Sequence, residues 1–578
     1  MTQGSFGHYL RNVSLSLLHL PGFSAIRTCG VVFLIGLGCA SGAPSLHPDL
    51  ATDSAAAPAR DAARTADQRA PAASPDVAAT SPDAALAEAD VAAPAPPPDA
   101  ATADAGQPPP PPPGMFSNPG AVKVPTFPAR TCPVSAGAST AAINAAISSC
   151  STMGGGVVTF APGTYAVGSI HLMSNVKLQL NGATLRGAGG TDAAEPYTTP
   201  IACQDEGHRH WHNALIWGEN VTNVAVVGPG TLDGGGLDSN DQKMIALKSS
   251  SVMLFEDLNQ SSTGHFAYLL TDCHHITMAK LTIHPSRDGV DLMQCTDVNA
   301  HDLSITGGGD DAFALKSDCT LGKPLVTDNV TVSHSTIGSG CNALQIGSET
   351  WGTFQNISWF DIKVVKGSKS GIGIQMNDGS VIKNMSYDNI TMTGTSFPIF
   401  IGVTSLLRAP TKIPGHAENI RISNVTATGI VAGNNKSPQE TAIVITAEPG
   451  SPHLGIVLEH IKISFPGGGA PTGDPPEGTA LTTGGQWNPR FVTPIPAYGL
   501  FVRHARGIEL HDVKFTFGAA DQRPAVIARD VDGLLLDGFG AQKAGGAELE
   551  LDTIKNLTIQ GSAPLPDTKL SAVGKMTF

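Results

Sequence analysis

Two acidic residues and one amide occupy matched places in a repeating apolar pattern, with a third acid beside one of them. Asp288 lies five residues past Ile283, Asp310 five past Ile305, and Asn342 five past Ile337, with Asp311 next to Asp310. If the pattern stacks its copies as neighbouring parallel strands, about 4.8 Å apart, these groups converge on one patch. Like charges that close cannot ionise independently; one carboxyl is driven to hold its proton while another stays charged. That division suits glycoside hydrolysis, in which one carboxylic acid protonates the leaving oxygen and another carboxylate activates water or attacks the sugar. Two plainer readings stand beside it: a calcium site, since hard cations gather carboxylate oxygens, and a solvated acidic turn. Asp291, three residues past Asp288, is expected to support the column through hydrogen bonding.

The elements that would position these residues follow from the repeat itself. Apolar residues recur at relative positions 0, 2, 5 and 7: Ile276, Met278, Leu281, Ile283; then Val298, Ala300, Leu303, Ile305; then Ile357, Trp359, Ile362, Val364, with five further copies down to Leu534 and a looser one at Val330. Alternation, a two-residue slip and renewed alternation describe two short strands joined by a bend. A second strand-like run follows in several periods, at 312–315, 343–346, 372–375, 398–403 and 441–446. Short strands stacked coil on coil, with start-to-start steps of 22 to 32 residues in the early copies, predict an all-β chain wound as a right-handed parallel β-helix. An antiparallel sandwich would need Asn-Gly or Asp-Gly hairpins, which are scarce. The solenoid is expected from about Gly154 to Gly561, with a helix at 139–149 capping its N-terminal end, and Cys132 and Cys150 are the favoured disulfide pair.

Composition bounds the partners. With 49 acidic against 35 basic residues and a net charge of -14, nothing offers a basic footprint for nucleic acid. Charged residues make up only 15% of the chain, against 65 Gly and 43 Pro, which excludes a bundle or coiled coil. Arg11 and Arg27 precede an apolar run at 31–37 that is too short to span a bilayer and ends in small residues beside Cys39. Residues 1–39 therefore read as an export signal, with lipidation of Cys39 and ordinary cleavage both open. Residues 40–120 are Ala, Pro and Asp, including the run Pro108 to Pro113. Such a stretch buries too little to fold and is expected to act as an acidic, semi-stiff tether, leaving residues 121–578 as one folded domain. If Cys29 and Cys39 belong to the signal, seven Cys remain and one thiol stays free.

The motifs at the acidic column resemble glycoside hydrolase family 28, the polygalacturonase-like, pectin-degrading β-helices of the pectin lyase fold. Gly309-Asp310-Asp311-Ala312-Phe313-Ala314-Leu315-Lys316-Ser317 is similar to the family's Gly-Asp-Asp block with its trailing Lys-Ser, and Arg287-Asp288-Gly289-Val290-Asp291 to its Asn-Thr-Asp-Gly block from the Asp onward. Residues 154–165 and 228–234 resemble its opening strand and early turn, the former shared with pectate lyases. The resemblance covers most of 130–560 and implies an inverting hydrolase, with Asp310 the general acid and Asp288 and Asp311 holding and deprotonating water. No cofactor or metal is expected, and the implied partner is a pectin-type polysaccharide acted on by an exported monomer, attached to the membrane if Cys39 is lipidated.

Three departures bear on the substrate. The family's Gly-His-Gly block falls on Cys341-Asn342-Ala343, its Arg-Ile-Lys block on Gly373-Ile374-Gln375, and Ser286-Arg287 replaces Asn-Thr. A lost Arg and Lys remove charge-assisted bonds that would grip a uronate carboxylate. Arg287, Lys316, Lys366 and Lys369 stand near enough in sequence to rebuild a cationic subsite; Arg287, Lys316, Asn342 and Gln375 are the expected substrate-binding residues. His284 and His301 are candidates for the missing His, and Glu349 for a fourth carboxylate. In His208-Arg209-His210-Trp211-His212 an extended segment would put three His on one face, a weak metal motif without partner carboxylates, and Trp211 would serve as a sugar-stacking wall. The rivals to a hydrolase are a catalytically silent polysaccharide-binding β-helix and a pectate-type lyase.

Overall fold

The computed structural model describes residues 114–188, 190–195, 206–403, 408–410, 413–431, 437–477 and 492–578. The expected signal with Cys39, most of the tether, Cys203 and the middle of the insert between Gly467 and Pro494 lie outside the described residues. Among the described residues, the regular elements apart from three short 3-10 turns and one α-helix are strands. They form a right-handed parallel β-helix in which every ladder is parallel except the last, where Leu549–Gln560 meets Thr568–Thr577 antiparallel.

The 0-2-5-7 pattern maps onto this winding position by position. Ile276, Met278, Leu281 and Ile283 are buried, as are their counterparts Val298, Ala300, Leu303 and Ile305 one coil on. Ile276 pairs in register with Val298, Val298 with Val330, and Val330 with Ile357. What the apolar pattern leaves unstated is the chemistry of the bend. The residue at relative position 4 has a left-handed backbone in coil after coil: Lys280, Asp302, His334, Asp361, Asn389, Asn424, His460 and Asp512, with φ between 48° and 56°. The residue just before position 0 does the same at His275, Asp297, Asn329, Asn356, Asn384 and Asn419. Short polar side chains tolerate this conformation because they bond locally. They also bond between coils, as Asn384 Nδ2 donates to Asn356 Oδ1 at 3.0 Å and Asn419 Nδ2 to Asn384 Oδ1 at 2.8 Å.

The cap is a helix at Thr140–Thr152, with Ser139 as its N-cap accepting from the Ala142 N–H. Ile143, Ile147 and Cys150 are its buried face, which closes a core that would otherwise end in water. Cys132 and Cys150 are disulfide-bonded with Cα atoms 6.0 Å apart. The expected single unpaired thiol is corrected: Cys319 is also disulfide-bonded, while Cys273, Cys295 and Cys341 are buried thiols outside any disulfide. The packed part begins earlier in the chain than the expected limits. The strand Thr131–Val134 already pairs with Gly156–Phe160, and Phe116 and Ser117 donate backbone N–H bonds to Ser358 Oγ, inside the stretch assigned to the tether.

The bends generate a test. Asn389, exposed, has φ 52° and its Nδ2 donates to Asp361 Oδ1 at 2.6 Å. Asn389→Val should cost about 1–2 kcal/mol in thermal or urea unfolding, because a β-branched residue resists this backbone, whereas Asn389→Gly should stay within about 1 kcal/mol of the parent. Equal midpoints for the two variants would contradict the account of the bend.

Candidate active site

The site lies on the outer face of one of the stacked sheets, at the N-terminal ends of three consecutive strands: Asp288–Met293, Phe313–Ser317 and Leu344–Thr350. Ladder bonds run on past the strands, from Gly289 N–H to Asp311 O, from Ala312 N–H to Asn342 O, and from Ala343 N–H to Ser370 O. The stacked set is therefore Asp288, Asp311 and Asn342, one per coil. Counting five from Ile305 lands on Asp310, one residue short, because the Gly307-Gly308-Gly309 loop carries an extra residue between the two strands. Asp310 thus stands at the mouth of the column, its side chain 14% exposed against 2% for Asp288 and 8% for Asp311.

Buried acids at this spacing need cations, and two reach them. Arg287 Nε is 3.2 Å from Asp310 Oδ2 and 3.5 Å from Asp288 Oδ2, bridging neighbouring coils. Lys316 Nζ is 2.7 Å from Asp291 Oδ2, 3.8 Å from Asp311 Oδ2 and 3.9 Å from Asp288 Oδ1. Burial alone would lower the Lys316 pKa, but these three carboxylates hold it well above its usual value. Burial, then Asp310 and Asp291, push Asp288 well above the ordinary carboxylate range. Burial and then Asp310 push Asp311 up to about 6, against the pull of Lys316 and Lys369. Burial would raise Asp291 as well, yet Lys316 and His208 keep it low and charged.

Asn342 and Asp291 are braces here. Asn342 Nδ2 donates to Asp311 Oδ1 at 2.7 Å while Ser370 Oγ donates to Asn342 Oδ1 at 2.7 Å. The amide expected to meet a sugar hydroxyl is engaged at both ends and orients Asp311. Lys316 and Arg287, likewise expected at the substrate, are tied first to the acids. Gln375 does face the pocket, together with Gln345, Glu349, Ser348 and Lys369. Glu349 Oε1 takes Arg408 Nη1 at 3.2 Å, so it is part of a second buried ion pair. Lys366 is exposed and outside the pocket.

The histidines are where the sequence reading fails. His284 is exposed and sits against Thr306 O, and His301 pairs with Asp302; neither reaches the acids. The imidazoles in the pocket are His265 and His208. His265 stacks on Phe266 with centroids 4.1 Å apart, engages Asn240 O through Nδ1 at 2.6 Å, and holds Nε2 3.8 Å from Asp288 Oδ2. His208 sits between Asp318 Oδ2 (3.1 Å) and Asp291 Oδ2 (3.6 Å). Neither lies near the acids in sequence; only the hydrogen bond that the Asp288 N–H donates to His265 O and the winding of the chain bring them in.

The segment 208–212 is not extended: His208 ends a 3-10 turn at Glu206–His208 and His210 has φ 62°. Its three His scatter, His208 to the acids, His210 to Asp241 and His212 to Glu195 and Glu219. Trp211, only 6% exposed, is no sugar-stacking wall; its Nε1 donates to Thr271 Oγ1 at 3.0 Å. Carboxylates do stand beside His212, since Glu195, His212 and Glu219 place possible ligand atoms within 4.8 Å of one another, as do Asp310, Asp311 and Cys341. Lys248 already occupies Glu219 at 3.0 Å, and a thiol is a poor partner for the hard cations that two carboxylates would select.

A carboxyl that ionises at about 6 in the fold and at 3.8 when free favours folding fully below pH 3.8, and that contribution is lost as pH rises through 6. Asp311→Asn keeps an acceptor for Asn342 and removes the charge. It should stabilise the chain at pH 7.5, on the order of 3 kcal/mol, and by little at pH 3.5. Calorimetric midpoints at the two pH values check this; an equal shift at both would contradict it.

Comparisons with known proteins place the cluster in context. The profile described as Glycosyl hydrolases family 28 matches residues 159–474. An endo-polygalacturonase of Pectobacterium parmentieri is 24% identical over 358 residues, covering 56% of this chain and 84% of that protein. A probable polygalacturonase of Vitis vinifera is 26% identical over 282 residues, covering 44% and 57%. Among solved structures, a polygalacturonase from Erwinia carotovora ssp. carotovora aligns with TM-score 0.47 at 21% identity, covering 59% of this chain and 95% of that one. The family match spans more than half of the 578 residues and takes in every acid of the column, so the chain belongs to glycosyl hydrolases family 28.

Proposed function

We propose that this chain hydrolyses glycosidic bonds in a pectin-type polysaccharide with inversion at the anomeric carbon. The observation that carries the reading is one open carboxyl, Asp310, beside two buried ones with raised pKa, all on one outer face and tied by Arg287 and Lys316. Asp310, the most exposed, gives its proton to the leaving oxygen as the glycosidic C–O bond breaks. Asp288 and Asp311 hold the water whose oxygen bonds to the anomeric carbon from the other side and take up its proton. Ionised Asp291 and the Lys316 ammonium fix the charge around that step before substrate arrives, so little reorganisation is needed. The matched family and the names of the aligned relatives, polygalacturonases, support the substrate class.

The same reading includes export, with residues 1–39 as signal and the acidic segment after it as tether. The Cys132–Cys150 disulfide supports an oxidising destination.

The full chain should release reducing ends from pectin-type polymers, and Asp310→Asn should lower kcat by about 10²–10⁴. Because Asp311 must be ionised, kcat/KM should fall about tenfold per pH unit below about pH 6. Silence on polygalacturonate and rhamnogalacturonan with retained binding would favour a binding protein. An unsaturated, ultraviolet-absorbing product that a chelator abolishes would favour a lyase.

A further inference from the structure

Two glutamines in the pocket have no use within the protein. Gln345 and Gln375 are each 1% exposed, and among the described residues neither amide's nitrogen or oxygen has a hydrogen-bond partner. Orphaned buried amides cost stability and are kept where a ligand completes them. Four such atoms in one pocket, beside the acid cluster, form a built subsite.

Gln345 also explains why position 373 carries no side chain. Gly373 is its register partner in the next coil, and a Cβ there would come within 2.2 Å of Gln345 Oε1 and 2.4 Å of Ser370 Oγ. The amide of Gln345 fills the space that a longer side chain at 373 would need. The choice of Gly at 373 and Gln at 345 is one arrangement, and it excludes a cation from that point.

The charges around the amides are already balanced internally. Arg287 pairs with Asp310 and Asp288, Lys316 with Asp291, and Arg408 with Asp378 and Glu349. Lys369, the remaining basic side chain of the pocket apart from the two imidazoles, acts on Asp311. A sugar carboxylate entering here would meet Asp288, Asp310, Asp311 and Glu349 in a desolvated space and two amide oxygens that it cannot satisfy. Hydroxyl groups donate and accept, as each amide does, and satisfy both ends.

We propose that Gln345 and Gln375 form a subsite that reads an uncharged sugar unit next to the scissile bond. The unit is a neutral sugar or an esterified uronate, and a free uronate is rejected there. The inference rests on the proposed hydrolase reading for the placement of the scissile bond, and deepens it by naming the occupant's charge class.

Binding separates the two ideas, because it needs no turnover. In Asp310→Asn, isothermal titration would compare three oligosaccharides: de-esterified oligogalacturonide, its methyl ester, and an oligomer alternating neutral sugar with uronate. One or both of the uncharged-unit ligands should bind at least about tenfold tighter than the free acid, their order telling ester from neutral sugar. Gln345→Ala should bring the ratio toward one, and Gln375→Lys should turn it toward the free acid. Equal or tighter binding of the free acid, a ratio untouched by both variants, or no binding at all would overturn the proposal. Turnover of the same ligands by the parent chain is read separately. Binding with the expected ratio but without turnover would remove the hydrolase reading and leave the subsite standing.

Discussion

Everything at this site depends on the spacing that parallel coils impose. Successive coils place equivalent side chains about 4.8 Å apart, and in this chain three successive coils put Asp288, Asp311 and Asn342 on one level, with Asp310 beside them. Uncompensated, such a column would either take up protons or unfold. The buried Lys316 ammonium and the bridging Arg287 guanidinium make it tenable without neutralising it fully, which leaves Asp288 and Asp311 holding protons more readily than free carboxyls while Asp291 stays charged. The spread of proton affinity among Asp288, Asp291 and Asp311 follows from the fold's repeat together with two cations.

Much of this was legible in the chain alone. The 0-2-5-7 pattern identifies the winding because each of its positions faces the core, and the acids stand out because they recur at one offset from it. The bends were legible too, in the run of Asn, Asp and His at the slip, though an apolar count passes over them. The offset fails at Asp310 because a three-glycine loop adds a residue that no apolar periodicity registers. The histidines fail for a different reason. His208 and His265 belong to earlier coils and to a turn outside the repeat, so nothing local to Asp288 or Asp291 announces them, while His284 and His301 are near in sequence and face away. Trp211 reads as a surface ring among polar neighbours, yet its neighbours turn outward by a left-handed bend at His210 and leave it buried.

At the pocket's far end one packing constraint sets two positions. Gly373 and Gln345 occupy one volume between them, so the bare backbone at one position and the amide at the other are a single steric fact. Asp288 and Asp311 are held separately, by backbone ladder bonds and by Lys316.

The central claim is that water attacks a sugar held over this column, opposite the group that Asp310 protonates. Proton NMR of the anomeric signal in the first minutes of hydrolysis, before mutarotation, tests it most directly. The account predicts that the new reducing end appears with the configuration opposite to that of the bond cleaved. First appearance of the retained anomer would contradict it, since retention requires a covalent sugar on a carboxylate that this account assigns to water.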